Sequence, residues 1–568
     1  MNGFLSFLYQ LLNHKRAHWV IILFATTIKS ILTAVFSNYE GDKSFYLLLA
    51  KNIGNGDGFT IPVSLLSNPE LTEQIYLPSA ISPLYSIVIA PLLKIFSGNY
   101  LFVSWLVESL AWLLLFVILY RILIKLLSSP FWPNLFVLFS GFFLYNIEIS
   151  SSPKDVLATA LLMASFHFCM HLGKTSNSRP VLYLAASSLL FLLPGLVKYI
   201  YLPLAVMFPF AILFTGIISR QRSLIRTGSI SLLFCILLIA LHYFYFHSLQ
   251  VNAISQHPDF FANRWSLAKS GDDFVAGFYP GNLRQLYPFI PASVINLDFV
   301  GIQVRSLTPS LYQVYGTVLF VLNVLGILAL ALAFIFISKK NFRKPVSPKV
   351  FFFLSGTIIS FSILALTVAL SLRYKPIEYK ASVSSWTYVF ENRPFFFNIL
   401  FIQLLLVVFL FASKPGTLII ARVRQLLLVI MAVGFLHGIY FIAKTTMGLN
   451  KSPQKQPSVI QMITAQIDSI QAAEPSRITQ NVWLATEMQH LDWYAKLHGK
   501  KVLNHVSYLA DSTIQLPPKT ILLTAITKED TMQIRKYTSQ PGVAFLRNYN
   551  NEWFLYIQSH STSTKAAQ

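Results

Sequence analysis

Long apolar runs, separated by short basic connections or by longer mixed segments, set the pattern of this chain. The runs fall at roughly 17–36, 100–125, 131–148, 154–172, 180–197, 199–218, 227–247, 313–337, 350–371, 395–412 and 425–444. Each approaches the ~20 residues that a helix needs to cross a bilayer. One further run, 81–97, is shorter, carries Pro83, Pro91 and Lys94, and follows a polar loop. From Lys444 onward the pattern changes to short apolar strands such as Ile521–Ile526 and helical stretches such as Val459–Ala473 and Leu491–His498. About 120 residues suffice there for a small α/β domain.

Whether 81–97 crosses decides the side of every later loop. If it lies in the interface, Lys15/Arg16, Arg121/Lys125, Lys174/Arg179, Arg220/Arg222/Arg226, Lys339/Lys340/Arg343/Lys344/Lys349 and Lys414/Arg422/Arg424 share one side, in connections without any acidic residue. If it crosses, all but the first pair change sides. Cytoplasmic loops are the ones enriched in Lys and Arg, so the interfacial reading is preferred. The fold class expected is an α-helical polytopic membrane protein of about eleven transmembrane helices with a small C-terminal extracytoplasmic α/β domain. Residues 1–445 would form the transmembrane domain, with outer loops 37–99 and 248–312, and 446–568 the tail domain. The amino terminus would be cytoplasmic. Lys15 and Arg16 precede the first run as in a signal peptide, but no small-residue cleavage site follows, so the run reads as an uncleaved span.

Composition agrees with the pattern: 55% of residues are hydrophobic and 12% charged, against ~25% charged in soluble domains. The formal charge of +22 fits a basic cytoplasmic face holding anionic membrane lipid, and no nucleic-acid partner is inferred. Cys169 and Cys235 sit inside apolar runs and imply no disulfide framework.

Acidic residues gather in the outward segments, among them Glu40, Asp42, Asp259, Asp272, Asp273 and Asp298. The first outer loop opens Asn38-Tyr39-Glu40-Gly41-Asp42, continues through a helical stretch with Tyr46, Ala50 and Ile53 on one side, and stops at Gly54-Asn55-Gly56-Asp57-Gly58. A carboxylate at the membrane surface is placed to take a proton from an acceptor hydroxyl. A solvated loop acid is the plainer reading. Lys198, in Pro194-Gly195-Leu196-Val197-Lys198-Tyr199, breaks the charge trend on the outward side with no acid nearby in sequence. Basic groups near the hydrocarbon edge are functional suspects, although a snorkelling lysine would look the same.

The spacing Asp42-x3-Tyr46-x3-Ala50-x2-Ile53, then Gly-x-Gly, then a proline-led interfacial helix resembles the C-type glycosyltransferase (GT-C) superfamily. The resemblance is closest to the protein O-mannosyltransferase and aminoarabinose lipid A transferase branch, covers roughly 15–445, and is strongest over 38–200. It implies transfer of a sugar from a polyprenyl-phosphate carrier to a lipid, glycan or protein acceptor outside the cytoplasm, in a bacterial inner membrane. It implies Asp42 as the catalytic carboxylate, with Glu40 as fallback. Asp155 occupies the family's second-loop acid position, where helix-dipole complementation is an equal explanation. Gly195-Leu196-Val197-Lys198 resembles the family's Gly-Leu-x-x-Lys pattern, one residue shorter, which supplies a donor-phosphate ligand. Glu391-Asn392-Arg393 resembles the acid-x-Arg segment in which arginine serves that phosphate, unless Arg393 merely caps the membrane edge. With Tyr46, these are the substrate-binding candidates.

No cofactor beyond the lipid-linked donor is implied. Some enzymes of the superfamily use a divalent metal, but this branch generally does not, and the relevant loops contain no Asp-x-Asp motif. His167-x-Cys169-x-His171 reads as packing, and Glu108 within the second run requires a polar partner. Two rival functions stay open: a lipid-linked sugar flippase, which would show repeats and broken helices, and a polysaccharide polymerase or ligase, which would depend on residues such as Arg264 and Arg284 rather than Asp42.

Overall fold

The structure, a computed structural model, describes residues 9–36, 42–64, 72–76, 82–143, 153–172, 180–254, 328–371, 396–411, 418–446, 459–473, 481–486, 489–504, 520–527, 538, 543–549 and 553–560, with positions 15, 97, 128, 345 and 499 excepted. In chain order the named elements begin α1 (Ala17–Phe36), α2 (Asp42–Asn55), β1 (Thr60–Ser64), β2 (Thr72–Tyr76), α3 (Leu84–Ile95), α4 (Tyr100–Leu126) and α5 (Phe131–Phe142). There follow α6 (Pro153–Leu172), α7 (Val181–Val197), α8 (Leu204–Ser219), α9 (Arg222–Ile254), α10 (Pro348–Ser371), α11 (Phe396–Phe411) and α12 (Leu418–Thr446). The tail contributes α13 (Val459–Ala473), β3 (Asn481–Thr486), α14 (Gln489–Leu497), β4 (Lys501–Asn504), β5 (Thr520–Thr527), β6 (Val543–Tyr549) and β7 (Trp553–His560).

Contacts divide the chain into two compact units. One holds Met1–Phe36 and Trp105–Asn450, the other Ser37–Ser104 and Lys451–Gln568. The grouping of the first loop with the tail was not visible in the apolar pattern, which places that loop with the spans.

The first unit is helical. Among the described residues, six helices are long and apolar enough to cross a membrane, at Ala17–Ala34, Tyr100–Leu126, Lys154–Leu172, Arg222–Tyr245, Pro348–Leu366 and Ala421–Tyr440. Shorter apolar helices lie at Phe131–Phe142, Val181–Val197, Leu204–Ser219 and Phe396–Phe411, and residues 328–340 are helical, overlapping the end of the run expected at 313–337. The run expected at 199–218 begins as a 3-10 turn, Tyr199–Tyr201, because Pro203 starts the next helix as its N-cap.

Loops grouped by charge in the sequence meet in pairs. Ser129 donates to Asn13 (3.0 Å), Asn134 to the carbonyl of Leu12 (2.7 Å), and the amide of Arg343 to the carbonyl of Ile218 (2.9 Å). Trp105 ties α4 to α1 by donating to the carbonyl of Ser30 at 2.8 Å.

In the second unit the tail forms a five-stranded sheet in the order β4-β3-β5-β7-β6. β3 runs parallel to β4 and β5, whereas β7 runs antiparallel to β5 and β6, with a register shift between Phe545 and Arg547. Trp483, Ala485 and Leu522 form one buried cluster, and Ile526 and Tyr556 another.

The first loop of this unit is built on α2 and α3. α3 has twelve residues, about 18 Å at 1.5 Å per residue, well short of a ~30 Å hydrocarbon core. It buries Tyr85, Ser86, Ile89, Ala90 and Leu93 and exposes Ile87 and Val88. The buried face meets α2: Ser86 donates to the carbonyl of Tyr46 at 2.9 Å, and the Tyr46 and Tyr85 rings meet edge to face at 5.7 Å. Such an aromatic pair contributes about 0.5–1.5 kcal/mol beyond its buried area. α2 ends where Gly56 takes φ +96 and its amide bonds the carbonyl of Ile53, a left-handed helix stop that glycine adopts without a Cβ penalty. Beyond it, Asn52 donates to the carbonyl of Thr60 at 2.7 Å, and β1 pairs antiparallel with β2 from Thr60↔Tyr76 to Ser64↔Thr72. Asn52→Ala would leave that buried carbonyl without its partner, at a cost of about 1–3 kcal/mol. A lower thermal midpoint of the detergent-solubilised chain is the expected result, and an unchanged one would show the hairpin is held elsewhere.

Candidate active site

In the first unit, the end of α7 and the start of α6 bring two sequence candidates together. α6 opens at Pro153 and carries Asp155 in its first turn, where the exposed amides of a helix start favour a negative charge. α7 stops at Val197, and Lys198 follows in an extended conformation (φ −147, ψ 107) before the 3-10 turn. That break in helical register frees the lysine side chain to leave the helix line. Its Nζ lies 2.8 Å from Asp155 Oδ1, with the carboxylate side chain 1% and the lysine side chain 16% exposed. The ring of Tyr201, itself buried, stands 5.8 Å from the same Nζ. Lys198 has no acid near it in sequence, yet the fold supplies one from 43 residues away.

Gly195 explains how the turn closes. A Cβ there would fall 2.5 Å from Leu202 Cα and 2.9 Å from its backbone nitrogen. Backbone cannot swing aside as a side-chain end can, so Gly195→Ala is expected to displace the segment carrying Lys198 and to cost about 1–3 kcal/mol. Thermal unfolding of the purified protein checks this: the midpoint should fall, and an unaltered midpoint would mean that the turn yields without strain.

An ammonium has three donors and is able to bridge a carboxylate and an incoming phosphate.

In the second unit, Asp42 is the first residue of α2, and of this residue the structure describes the backbone only. Tyr46 is one turn on and 3% exposed, packed on Tyr85 as above. Its described contacts are those of packing. Glu40, Glu391 and Arg393 lie outside the described residues, as do Arg264 and Arg284; α11, which the Arg393 segment precedes, begins at Phe396.

Two basic residues were not singled out in the sequence. Lys29, in the first apolar run, is fully buried, with Nζ 3.4 Å from the carbonyl of Phe143 and 5.0 Å from the Trp112 ring. The signal was there, since a basic residue inside an apolar run is costly and marks a polar interior. Glu108 is buried one turn before Trp112 on α4. Lys51, on α2, donates to the carbonyl of Leu497 at 2.8 Å, a contact between residues too distant in sequence for any local pattern to announce. The thiol of Cys169 donates to the carbonyl of Phe208, and Lys125 meets His167 at 3.3 Å.

No protein-family model matches the chain, and no curated protein matches it. Among solved structures it is similar to ArnT from Cupriavidus metallidurans bound to undecaprenyl phosphate, at 11% sequence identity and a TM-score of 0.46, over 97% of this chain and 100% of that one.

Proposed function

We propose that this chain is a multi-pass membrane glycosyltransferase of the C-type superfamily, moving a sugar from a polyprenyl-phosphate donor to an acceptor hydroxyl on the extracytoplasmic face. The observation that carries the reading is the form of the first loop. The residues that resemble the family's motif, Asp42 to Ile53, lie on one helix, stopped by a left-handed Gly56 and packed on a proline-led helix too short to span. An apolar helix of only twelve residues, with Ile87, Val88 and Ile95 exposed, suits an interfacial position better than a span. With α3 out of the span count, the basic loops fall in the cytoplasm and both the first loop and the tail face outward.

Asp42 is assigned as the base. The acceptor oxygen attacks the anomeric carbon as its proton passes to the Asp42 carboxylate, and the bond from that carbon to the phosphate oxygen breaks, its electron pair leaving with the phosphate. A phosphate is weakly basic and departs without protonation, so one carboxylate suffices. Lys198, oriented by Asp155, and Arg393 are assigned to the growing phosphate charge. Fixed donors of this kind are worth about 3–4 kcal/mol each in the transition state. Glu40 is the alternative base, and Tyr46 and Glu391 are assigned to substrate binding.

Comparing envelope lipids, glycans and proteins by mass spectrometry, with and without the chain, tests the proposal. A hexose, pentose or aminosugar missing from one class identifies donor and acceptor together. Identical envelopes from cells that make the donor would contradict it.

A further inference from the structure

Lys51 lies nine residues after Asp42 on α2, about 13 Å along the axis. Its ammonium donates to the carbonyl of Leu497, the last residue of α14, at 2.8 Å. A helix end leaves its final carbonyls without intrahelical donors and carries partial negative charge, so Lys51 caps α14 from another part of the chain. His498 follows at once. Its ring lies 4.5 Å from that of Tyr494 and 5.9 Å, edge on, from that of Tyr100. Lys500 pairs with Asp468 of α13. α14 of the tail thus packs on the helix that begins with Asp42, and the Lys51–Leu497 hydrogen bond is a directional contact within that packing.

We propose that the tail domain braces the Asp42-bearing helix, with Lys51 as the positioning residue and Leu497 its anchor. The inference rests on the assignment of Asp42 as the base. Asp42 opens the first turn of α2, and a shift of about 1 Å in a reacting group lowers rates by up to ~10²-fold. A brace two and a half turns away sets the tilt of the whole helix. The groups facing His498 are Lys51 on α2, Tyr100 on α4, Tyr494 on α14, Asp468 on α13, and Lys500. Partial burial, then Lys51 and Lys500, hold its imidazole below the ordinary value of 6.5, with Asp468 pulling the other way. A depressed folded-state value means that the junction loses stability as pH falls from 6.5 toward that value.

Hydrogen exchange over residues 42–55 of the full-length protein in lipid nanodiscs reads the brace without any substrate. Lys51→Met should speed exchange in this segment and lower accumulation of the glycosylated product roughly tenfold to a hundredfold, while Lys51→Arg keeps both near wild type. Protection factors in wild type, which remove the intrinsic pH dependence of exchange, should also fall between pH 7 and pH 5, and His498→Phe, which keeps a ring beside Tyr494 and Tyr100, should flatten that change. Unchanged exchange in Lys51→Met, or quickening spread evenly over the chain, would overturn the brace. An active Asp42→Asn protein with the exchange pattern intact would instead overturn the assignment of the base.

Discussion

Asp42→Asn is expected to lower sugar transfer by roughly 10²–10⁴-fold, the usual contribution of a positioned general base, while the protein stays folded. The amide has the shape of the carboxylate but cannot accept the acceptor's proton. The structural cost is small: an acid in the first turn of a helix contributes about 0.3–1 kcal/mol through the helix dipole. Release of polyprenyl phosphate from lipid-linked sugar reads the rate, and elution and thermal unfolding read the fold. Glu40→Gln separates the two acids of the loop and should leave most activity. Near-normal transfer by a folded Asp42→Asn protein would remove Asp42 from the mechanism.

The second large effect concerns Asp155 and Lys198. Lys198→Met removes the cation 2.8 Å from a carboxylate whose side chain is 1% exposed. Stripping one partner from a buried pair costs about 3–5 kcal/mol, because the remaining charge is left uncompensated. Asp155→Asn should cost less, since the lysine is 16% exposed and water reaches its ammonium. The double variant Asp155→Asn/Lys198→Met removes both charges and should recover much of the lost stability. It should not recover donor binding, because the cation assigned to the phosphate is gone. Recovery of both stability and transfer would reduce the pair to a structural brace between α6 and α7.

How much of this was legible in the sequence depended on distance along the chain. Helices such as Ala17–Phe36, Pro153–Leu172 and Val459–Ala473, and the strand Thr520–Thr527, lie where apolar runs and periodicity put them, because those signals are local. The short helix Leu84–Ile95 also follows from local cues, with Pro83 before it and Phe96 after it. What local reading missed was pairing between remote segments. The hairpin Thr60–Ser64/Thr72–Tyr76 has no alternating signature around Pro62 and Pro69. Asp155 reaches Lys198 across two helices, and Lys51 reaches Leu497 across 446 residues; neither leaves a mark on hydropathy. Of the candidate site, Asp155 and Lys198 were named for separate reasons, and the fold joined them.

The most direct test of glycosyl transfer is a mass balance with the purified full-length protein in lipid vesicles containing polyprenyl-phosphate sugar and envelope acceptors. The account predicts that polyprenyl phosphate appears mole for mole with sugar gained by the acceptor, and that Asp42→Asn stops both. Intact lipid-linked sugar moving across the vesicle membrane, with no polyprenyl phosphate formed, would contradict it and establish a transporter instead.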